Sequence, residues 1–164
     1  EVLRIYPRVQ HREWAELKAA QSELALAMRI PTPEQVAYAR EVLARPRTIS
    51  PIHRYEKAYA ERTLSAAKWP KEVNIVLQAF RIGDVAVAGV PFETFAETGL
   101  ELKAKSAVKP MFTIELANGA YGYLPTPEQH ELGGYETWLG TNRVEKEASR
   151  KIVARLLELL EKVK

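Results

Sequence analysis

The stretch VAVAGVPFETFAETGLELKAKSAVKPMFTIELA (residues 85–117) decides the fold. Residues 85–90 and 111–117 are short apolar runs typical of buried strands, and the segment between them predicts a helix that ends near Lys105. A strand, a helix and a strand in this order form a βαβ unit, in which the crossover is right-handed and the two strands are parallel. The stretch therefore predicts an α/β domain.

The residues just upstream extend the predicted sheet. EVNIVLQAFRI (72–82) is apolar or β-favouring on both faces, as in a central strand. Gly83 and Asp84 supply a turn into residues 85–90, so the two segments should form a hairpin. Because a hairpin is antiparallel and the βαβ unit is parallel, we expect a mixed β-sheet flanked by helices.

The N-terminal third is predicted to hold a second strand and two helices. Apolar residues alternate over residues 23–30, the pattern of a half-buried strand. The letters TPEQ then provide a threonine N-cap, a proline at the first helical position and a capping box, which predict a helix over residues 33–44. A second helix is predicted over residues 50–68. Residues 1–6 alternate weakly and predict a short strand, and residues 11–21 are predicted to be helical or irregular.

The C-terminal residues predict a long helix. Residues 142–163 place their apolar side chains on one face at helical spacing. The letters PTPEQ occur twice, at residues 31–35 and 125–129, with unrelated flanking sequences. The second copy predicts a short helix over residues 127–131, which Gly133 and its neighbouring glycine should end.

The segment LANGAYGYLPTPEQHELGGYETWLGTNR (116–143) contains three tyrosines, a tryptophan, five glycines and two prolines between a predicted strand and a predicted helix. Loop backbones carry polar groups that are difficult to bury, so a long loop rich in aromatic residues and glycine is more typical of a binding or catalytic loop than of a linker. The alternative is a surface loop held together by tyrosine packing.

Composition excludes several classes of function. The 24 basic and 21 acidic residues nearly balance, and no basic stripe with interleaved aromatic residues suggests nucleic-acid binding. Cysteine is absent, which removes disulfides, thiolate nucleophiles and cysteine-based zinc sites. No apolar run has the length of a transmembrane segment, and no signal peptide is visible. Because the first residue is glutamate, we expect a mature, processed or excised piece of a longer protein.

The common catalytic motifs are also absent. The three histidines have no close helical spacing of the kind found in zinc motifs, no serine lies in a G-x-S-x-G setting, and no glycine-rich loop has the spacing of a phosphate-binding loop. Glu93 stands out because it follows an apolar strand and a proline. It is either a ligand or catalytic group, or a carboxylate that favours the helix dipole in a first turn. Sites in α/β sheets lie beyond the carboxyl ends of strands, where Asn118 should join Glu93.

Two separated segments carry a resemblance to a known family. The combination of VAVAGVPFETFAETGLELK (85–103) with LANGAYGYLPTPEQHELGGYE (116–136) resembles the C-terminal part of the catalytic domain of neutral, non-lysosomal ceramidases, especially their uncharacterised bacterial relatives. The resemblance covers residues 73–143 well and the first 70 residues loosely. Several separated motifs occur in the family's order, which makes the resemblance specific.

The resemblance implies a zinc-dependent amide hydrolase that cleaves an N-acyl lipid such as ceramide into a sphingoid base and a fatty acid. The family's zinc-binding glutamate falls on Glu93 and its zinc-binding tyrosine on Tyr123. The tyrosine that stabilises the reacting carbonyl falls on Tyr135. Phe92 departs from the family's usual glycine, and we expect it to narrow the approach to the carboxylate or to alter its backbone angle. The resemblance is also compatible with a secreted or periplasmic location.

The resemblance leaves the zinc site incomplete within this chain. The family's other zinc ligands are histidines from the N-terminal half of the domain, and no histidine here matches their motifs. We expect the missing half in an upstream segment of the same protein or on a second chain. Two alternatives stay open. One is a non-catalytic scaffold or binding subunit with the same fold, and the other is a zinc hydrolase that acts on a different N-acyl compound or an ester.

Three other residues of the loop have simpler interpretations. Tyr121 and Trp138 are expected to pack or to line the rim of a site, and contact with an acyl chain is the alternative. His130 is expected to face solvent, and a role in proton transfer near Tyr123 and Tyr135 is the alternative.

Overall fold

A computed structural model describes residues 1–46 and 48–164. Its main sheet has four strands in the order β1-β2-β3-β5, in which β1, β2 and β3 are antiparallel neighbours and β3 and β5 are parallel. The predicted mixed sheet and its βαβ unit are thus confirmed. The strands are β1 (Leu17–Ala27), β2 (Glu72–Ile82), β3 (Val85–Gly89) and β5 (Met111–Ile114).

A second, very small sheet lies beyond the carboxyl ends of β3 and β5. It pairs β4 (Glu93–Thr94) in parallel with β6 (Tyr123–Leu124). The helices of the described residues are α1 (Val2–Ile5), α2 (Pro33–Ala44), α3 (Glu56–Ala66), α4 (Ala96–Lys105), α5 (Pro127–Leu132) and α6 (Ala148–Lys162), with 3-10 turns at Tyr6–Arg8 and Tyr135–Thr137.

The core forms where α6 crosses one face of the main sheet. Alternate residues of β2, including Ile75 and Leu77, point to this face and are fully buried. From α6, Ile152, Leu156 and Leu159 meet them and are also fully buried, as the apolar face of the sequence predicted. Burial of these aliphatic side chains is the main source of stability in such a domain, at about 1.5–3 kcal/mol for each.

Helices α2 and α3 form a smaller unit that packs around Ala39, Val42 and Ala60. The Thr32 capping box is present: the hydroxyl accepts from the Gln35 backbone N–H, and the Gln35 side chain accepts from the Thr32 backbone N–H. This unit matters for function because α3 carries the side chains that face the 116–143 loop.

The N-terminal predictions were wrong in two places. Residues 1–6 do not form a strand, since Val2–Ile5 is a short helix that leads into a 3-10 turn. Residues 11–16 are irregular, as one of the two alternatives for 11–21 had it, but β1 begins at Leu17 and pairs along its whole length with β2, from Leu17 opposite Ile82 to Ala27 opposite Glu72. A long central partner strand imposes an extended conformation on residues whose composition favours a helix.

Several element boundaries also differ from the prediction. The predicted strand 23–30 ends at Ala27, and the strand 111–117 ends at Ile114 because Leu116 has a positive φ of 53°. Helix α3 begins at Glu56 rather than at residue 50. Helix α6 begins at Ala148 rather than at residue 142, since the preceding residues form bridges to Gly122 and Met28 and are therefore extended.

In the part of the chain that the structure describes, no helix has both the length and the apolar character required to cross a bilayer.

Candidate active site

The small sheet exists because the chain segments that leave β3 and β5 remain hydrogen-bonded to each other. The N–H groups of Val90 and Ala117 donate across the two segments at 3.0 Å, and the Tyr121 N–H donates to the Pro91 carbonyl at 3.0 Å. This pairing continues until Glu93 lies opposite Tyr123 in parallel register. Two residues that are thirty positions apart thereby become neighbours across two strands.

A second loop supports β6 from the other side. The N–H of Tyr123 donates to the carbonyl of Thr141 at 3.1 Å, and the buried side chain of Asn142 donates to the carbonyl of Tyr123 at 3.0 Å. Gly122 has a φ of +88°, and a Cβ at this position would overlap the Thr141 carbonyl oxygen. Glycine at position 122 therefore permits the close approach that fixes the backbone beside Tyr123.

The predicted site residues Glu93, Tyr123 and Tyr135 come together. The hydroxyls of Tyr123 and Tyr135 share a hydrogen bond of 3.1 Å, and the two rings meet edge to face with centroids 5.6 Å apart. The pKa of the Tyr123 phenol is raised, first by this hydrogen bond and then by the Glu93 carboxylate beside it. A negative charge near a phenol disfavours its ionisation, so Tyr123 holds its proton in the absence of a cation.

Two cavities meet at Tyr123. The first, of about 310 Å³, contains Glu93 and Tyr123 together with Arg62, Trp69 and Arg143. The second, of about 590 Å³, lies between α3 and the loop. Its lining is mainly aromatic and comprises His53, Tyr55, Ala58, Tyr59, Arg62, Tyr123, Tyr135, Trp138 and Thr141.

The aromatic cavity is held together by ring contacts between α3 and the loop. The Trp138 ring packs edge-on against Tyr59, with centroids 4.8 Å apart, and against His53 at 5.2 Å. The Tyr59 hydroxyl shares a hydrogen bond of 2.9 Å with the Thr141 hydroxyl. Such a lining presents a large apolar surface with a few polar groups at fixed positions, which is typical of small-molecule sites.

The residues at this site provide only some of the ligands that a metal ion requires. Glu93 and Tyr123 offer two adjacent oxygen donors, which are chemically suitable for zinc. Among the described residues, no group of three His, Cys, Asp or Glu side chains is close enough to hold a metal ion. Since catalytic zinc sites use at least three protein ligands, these two donors fit part of such a site, and the remaining ligands must come from elsewhere.

Other expectations from the sequence have mixed outcomes. Asn118 does not join Glu93 in either cavity, and its side chain donates to Gln78 at 2.9 Å. Phe92 is fully buried in the core and packs against Tyr121, with centroids 5.7 Å apart, so it does not narrow the approach to Glu93. Tyr121 is a packing residue, as expected.

His130 does not face solvent as expected. It is half-buried, and its Nε2 is shielded from water without a hydrogen-bond partner among the described residues. Burial lowers the pKa of His130, and the positive charges of Arg29 and Lys146 lower it further. His130 lines neither of the two cavities, so nothing in its position assigns it to proton transfer.

Sequence reasoning missed the contribution of α3 and of the residues just before it. Arg62, Tyr59 and His53 lie more than fifty residues before the loop, and only tertiary packing brings them to the cavities. The spacing of Tyr55, Tyr59 and Arg62 at four and three residues was a usable signal, because it places these side chains on one face of a helix.

The fold and the paired cavities define an α/β domain with a candidate ligand site at the end of its sheet, and a known structure shares this fold. The structure of the neutral ceramidase from Pseudomonas aeruginosa aligns with 88% of this chain and 28% of that one, at 17% identity and a TM-score of 0.58. A ceramidase complexed with C2 aligns with 56% of this chain and 15% of that one, at 20% identity and a TM-score of 0.47. No protein-family model and no curated protein sequence matches the chain.

The fold resemblance to neutral ceramidase that the sequence predicted is confirmed by the first of these structures. The present chain spans little more than a quarter of the length of that enzyme.

Proposed function

We propose that this chain contributes half of the active site of a zinc-dependent amide hydrolase of the neutral ceramidase type. The observation that carries the proposal is the parallel pairing of Glu93 with Tyr123, with the Tyr135 hydroxyl 3.1 Å from that of Tyr123. These are the three residues to which the sequence resemblance assigns the family's roles. The fold that the chain shares with the neutral ceramidase supports the choice of this family as the model for the site.

In this proposal Glu93 and Tyr123 hold the metal from one side. Histidines from another segment of the same protein or from a second chain complete the coordination, and this chain is then the C-terminal part of a larger catalytic domain. When bound, zinc supplies a Lewis acid for the amide carbonyl and a site where water ionises near neutral pH. The overall reaction breaks the C–N bond, gives the hydroxyl of water to the acyl carbon and gives a proton to the amine.

Tyr135 has a separate role in the proposal. Tyr135 lines the aromatic cavity, and its hydroxyl is held in place by the hydrogen bond to Tyr123, which lines both cavities. From there it donates a hydrogen bond to the oxyanion that develops on the carbonyl carbon. Removal of one such donor typically lowers the rate by about 10² to 10³.

Zinc binding provides the first test. Titration of the metal-free complete assembly, including the segment or chain that supplies the histidines, with Zn²⁺ against a competing dye should give one site, and Glu93→Gln or Tyr123→Phe should weaken binding by about tenfold or more, because each removes a ligand. Glu97→Gln is the matched control, since Glu97 is an exposed carboxylate only four residues away, and it should bind zinc as the wild type does. If the assembly does not bind zinc, or if Glu93→Gln binds zinc as tightly as the wild type, the proposal of a zinc hydrolase is contradicted and the scaffold alternative is favoured.

The substrate is tested separately on the complete assembly. Ceramide, other N-acyl amines and an ester of the same acyl chain form a panel that separates the ceramidase from the alternative hydrolases. Tyr135→Phe should lower kcat for the true substrate by about 10² while zinc affinity stays unchanged. A Tyr135→Phe enzyme with full activity would remove this tyrosine from the mechanism.

A further inference from the structure

Arg62 is held in a fixed position beside the candidate zinc ligands. Its guanidinium donates to the Thr141 hydroxyl at 3.2 Å and lies over the Tyr59 ring, 4.9 Å from the centroid. The stem of the side chain crosses Gly140, where a Cβ would come within 2.9 Å of the Arg62 Cβ. The glycine thus leaves room for the arginine to lie flat against the loop.

Arg143 lines the same cavity. Its guanidinium lies over the Trp69 ring, 5.7 Å from the centroid. Its Nε is shielded from water and has no hydrogen-bond acceptor among the residues that the structure describes. An unsatisfied buried donor is unfavourable, so an acceptor supplied by a ligand would be favourable at this position.

The two arginines give the cavity an excess of positive charge. Both line the cavity of about 310 Å³ that contains Glu93, which is the single carboxylate among its lining residues. Across the described residues, neither Arg62 nor Arg143 has an ion-pair partner within 4.0 Å. A guanidinium presents paired N–H donors that match the two oxygens of a carboxylate.

The neighbouring cavity is apolar where this one is charged. Arg62, Tyr123 and Thr141 line both cavities, so a ligand can place a charged end beside Arg62 and an apolar part among the aromatic rings of Tyr59 and Trp138. The site is therefore complementary to an amphiphile with a carboxylate at one end.

We propose that Arg62 and Arg143 form a carboxylate subsite that binds an amphiphilic ligand next to Glu93 and Tyr123. Resting on the proposed function, this subsite would receive either the carboxylate of an N-acyl amino acid substrate or that of the fatty acid released by hydrolysis. Both ligands present the same carboxylate group to the arginines. Ceramide has no such group, so a subsite that receives the substrate's carboxylate favours charged N-acyl compounds over neutral ones, whereas a subsite that receives the released fatty acid is equally compatible with a neutral substrate.

Calorimetric titration of metal-free protein tests the subsite without any catalysis. The probes are octanoate, N-octanoylglycine and the uncharged N-octanoylethanolamine. We expect the carboxylates to bind at least about tenfold more tightly than the neutral amide, since charge-assisted hydrogen bonds to two arginines are available only to them. Tighter binding of N-octanoylglycine identifies the subsite with substrate recognition, and tighter binding of octanoate identifies it with the product.

Variants of the two arginines test whether these side chains cause the preference for carboxylate ligands. The double variant Arg62→Gln/Arg143→Gln should lose about tenfold in affinity for the carboxylates and leave the neutral amide unaffected. Arg62→Lys/Arg143→Lys should recover part of the loss, because the charge returns without the paired donors. Arg40→Gln removes an exposed arginine of α2 and serves as the control. Far-UV circular dichroism checks that each variant is folded.

The outcomes separate this inference from the proposed function. Equal affinity for charged and neutral probes, or carboxylate binding that survives the double glutamine variant, would overturn the subsite whether or not Glu93 binds zinc. Carboxylate binding that depends on the arginines, together with a complete assembly that binds no zinc, would retain the subsite and reject the hydrolase.

Discussion

The main sheet joins strands of up to eleven residues, whereas the small sheet joins two residues from each of its strands. The first is backed by α6 and has a continuous buried face. The second has one buried side chain, Leu124, and three that are half-buried, Glu93, Thr94 and Tyr123. The larger sheet stabilises the domain, while the smaller one places polar side chains at the edge of a cavity.

The difference shows how a polar site is built on a stable sheet. Two residue pairs cannot sustain a sheet alone, so the small sheet depends on hydrogen bonds from the segments around it. Its support comes from the continued pairing beyond β3 and β5 and from the contact of Gly122 with the Thr141 carbonyl. Stability and candidate chemistry are therefore separable by mutation.

Truncation inside the main sheet should have the largest effect. Ile75 is fully buried in β2 against α6, so Ile75→Ala should lower the free energy of unfolding by about 2–5 kcal/mol, measured by urea denaturation. Val76 is the next residue and points to the other, partly exposed face, and Val76→Ala should cost less. Equal losses from the two variants would show that the core does not lie on one side of this sheet.

Gly122→Ala should lower the free energy of unfolding by an intermediate amount and should disturb mainly the candidate site. The positive φ alone costs a non-glycine residue about 1–3 kcal/mol, and the new Cβ must displace the Thr141 carbonyl. Gly133→Ala is the matched control, because Gly133 also has a positive φ but a Cβ added there would meet no atom within 4 Å. We expect Gly122→Ala to lose more stability than Gly133→Ala and to abolish zinc binding, which Gly133→Ala should retain.

The comparison also explains which parts of the fold were predictable. Burial along many residues leaves a signal in the sequence: β2 and β3 are apolar runs, and α6 has an apolar face at helical spacing. A strand of two residues is too short to show an alternation of apolar and polar residues, so β4 and β6 could not be predicted from their own sequences. The family resemblance singled out Glu93 and Tyr123, and the structure places them opposite each other.

The two copies of PTPEQ illustrate the same limit on a smaller scale. Both begin helices with a threonine cap, as the letters predict. In the first copy Gln35 completes the capping box, whereas in the second copy Gln129 instead donates to Glu97 at 2.8 Å. Local sequence determined where each helix begins, and tertiary neighbours determined where the glutamine side chain goes.

The smallest effect is expected at His130, on the helix that follows the small sheet. Burial lowers the pKa of His130 in the folded state below the value of about 6.5 expected for the unfolded chain. The unfolded state therefore binds more protons as the pH falls below about 6.5, so stability should decrease with falling pH in that range and be fully retained above it.

Thermal unfolding at pH 7.5 and pH 5.5 measures this contribution above the range in which ordinary carboxylates titrate. His130→Gln removes the titrating group, so its Tm should fall less between the two pH values than the wild-type Tm does. His11→Gln, which changes an exposed histidine, should behave as the wild type. If the Tm of His130→Gln changes with pH as much as the wild-type Tm does, then protonation of His130 does not contribute to unfolding of the domain. The small sheet and the main sheet are then more independent than their shared backbone hydrogen bonds suggest.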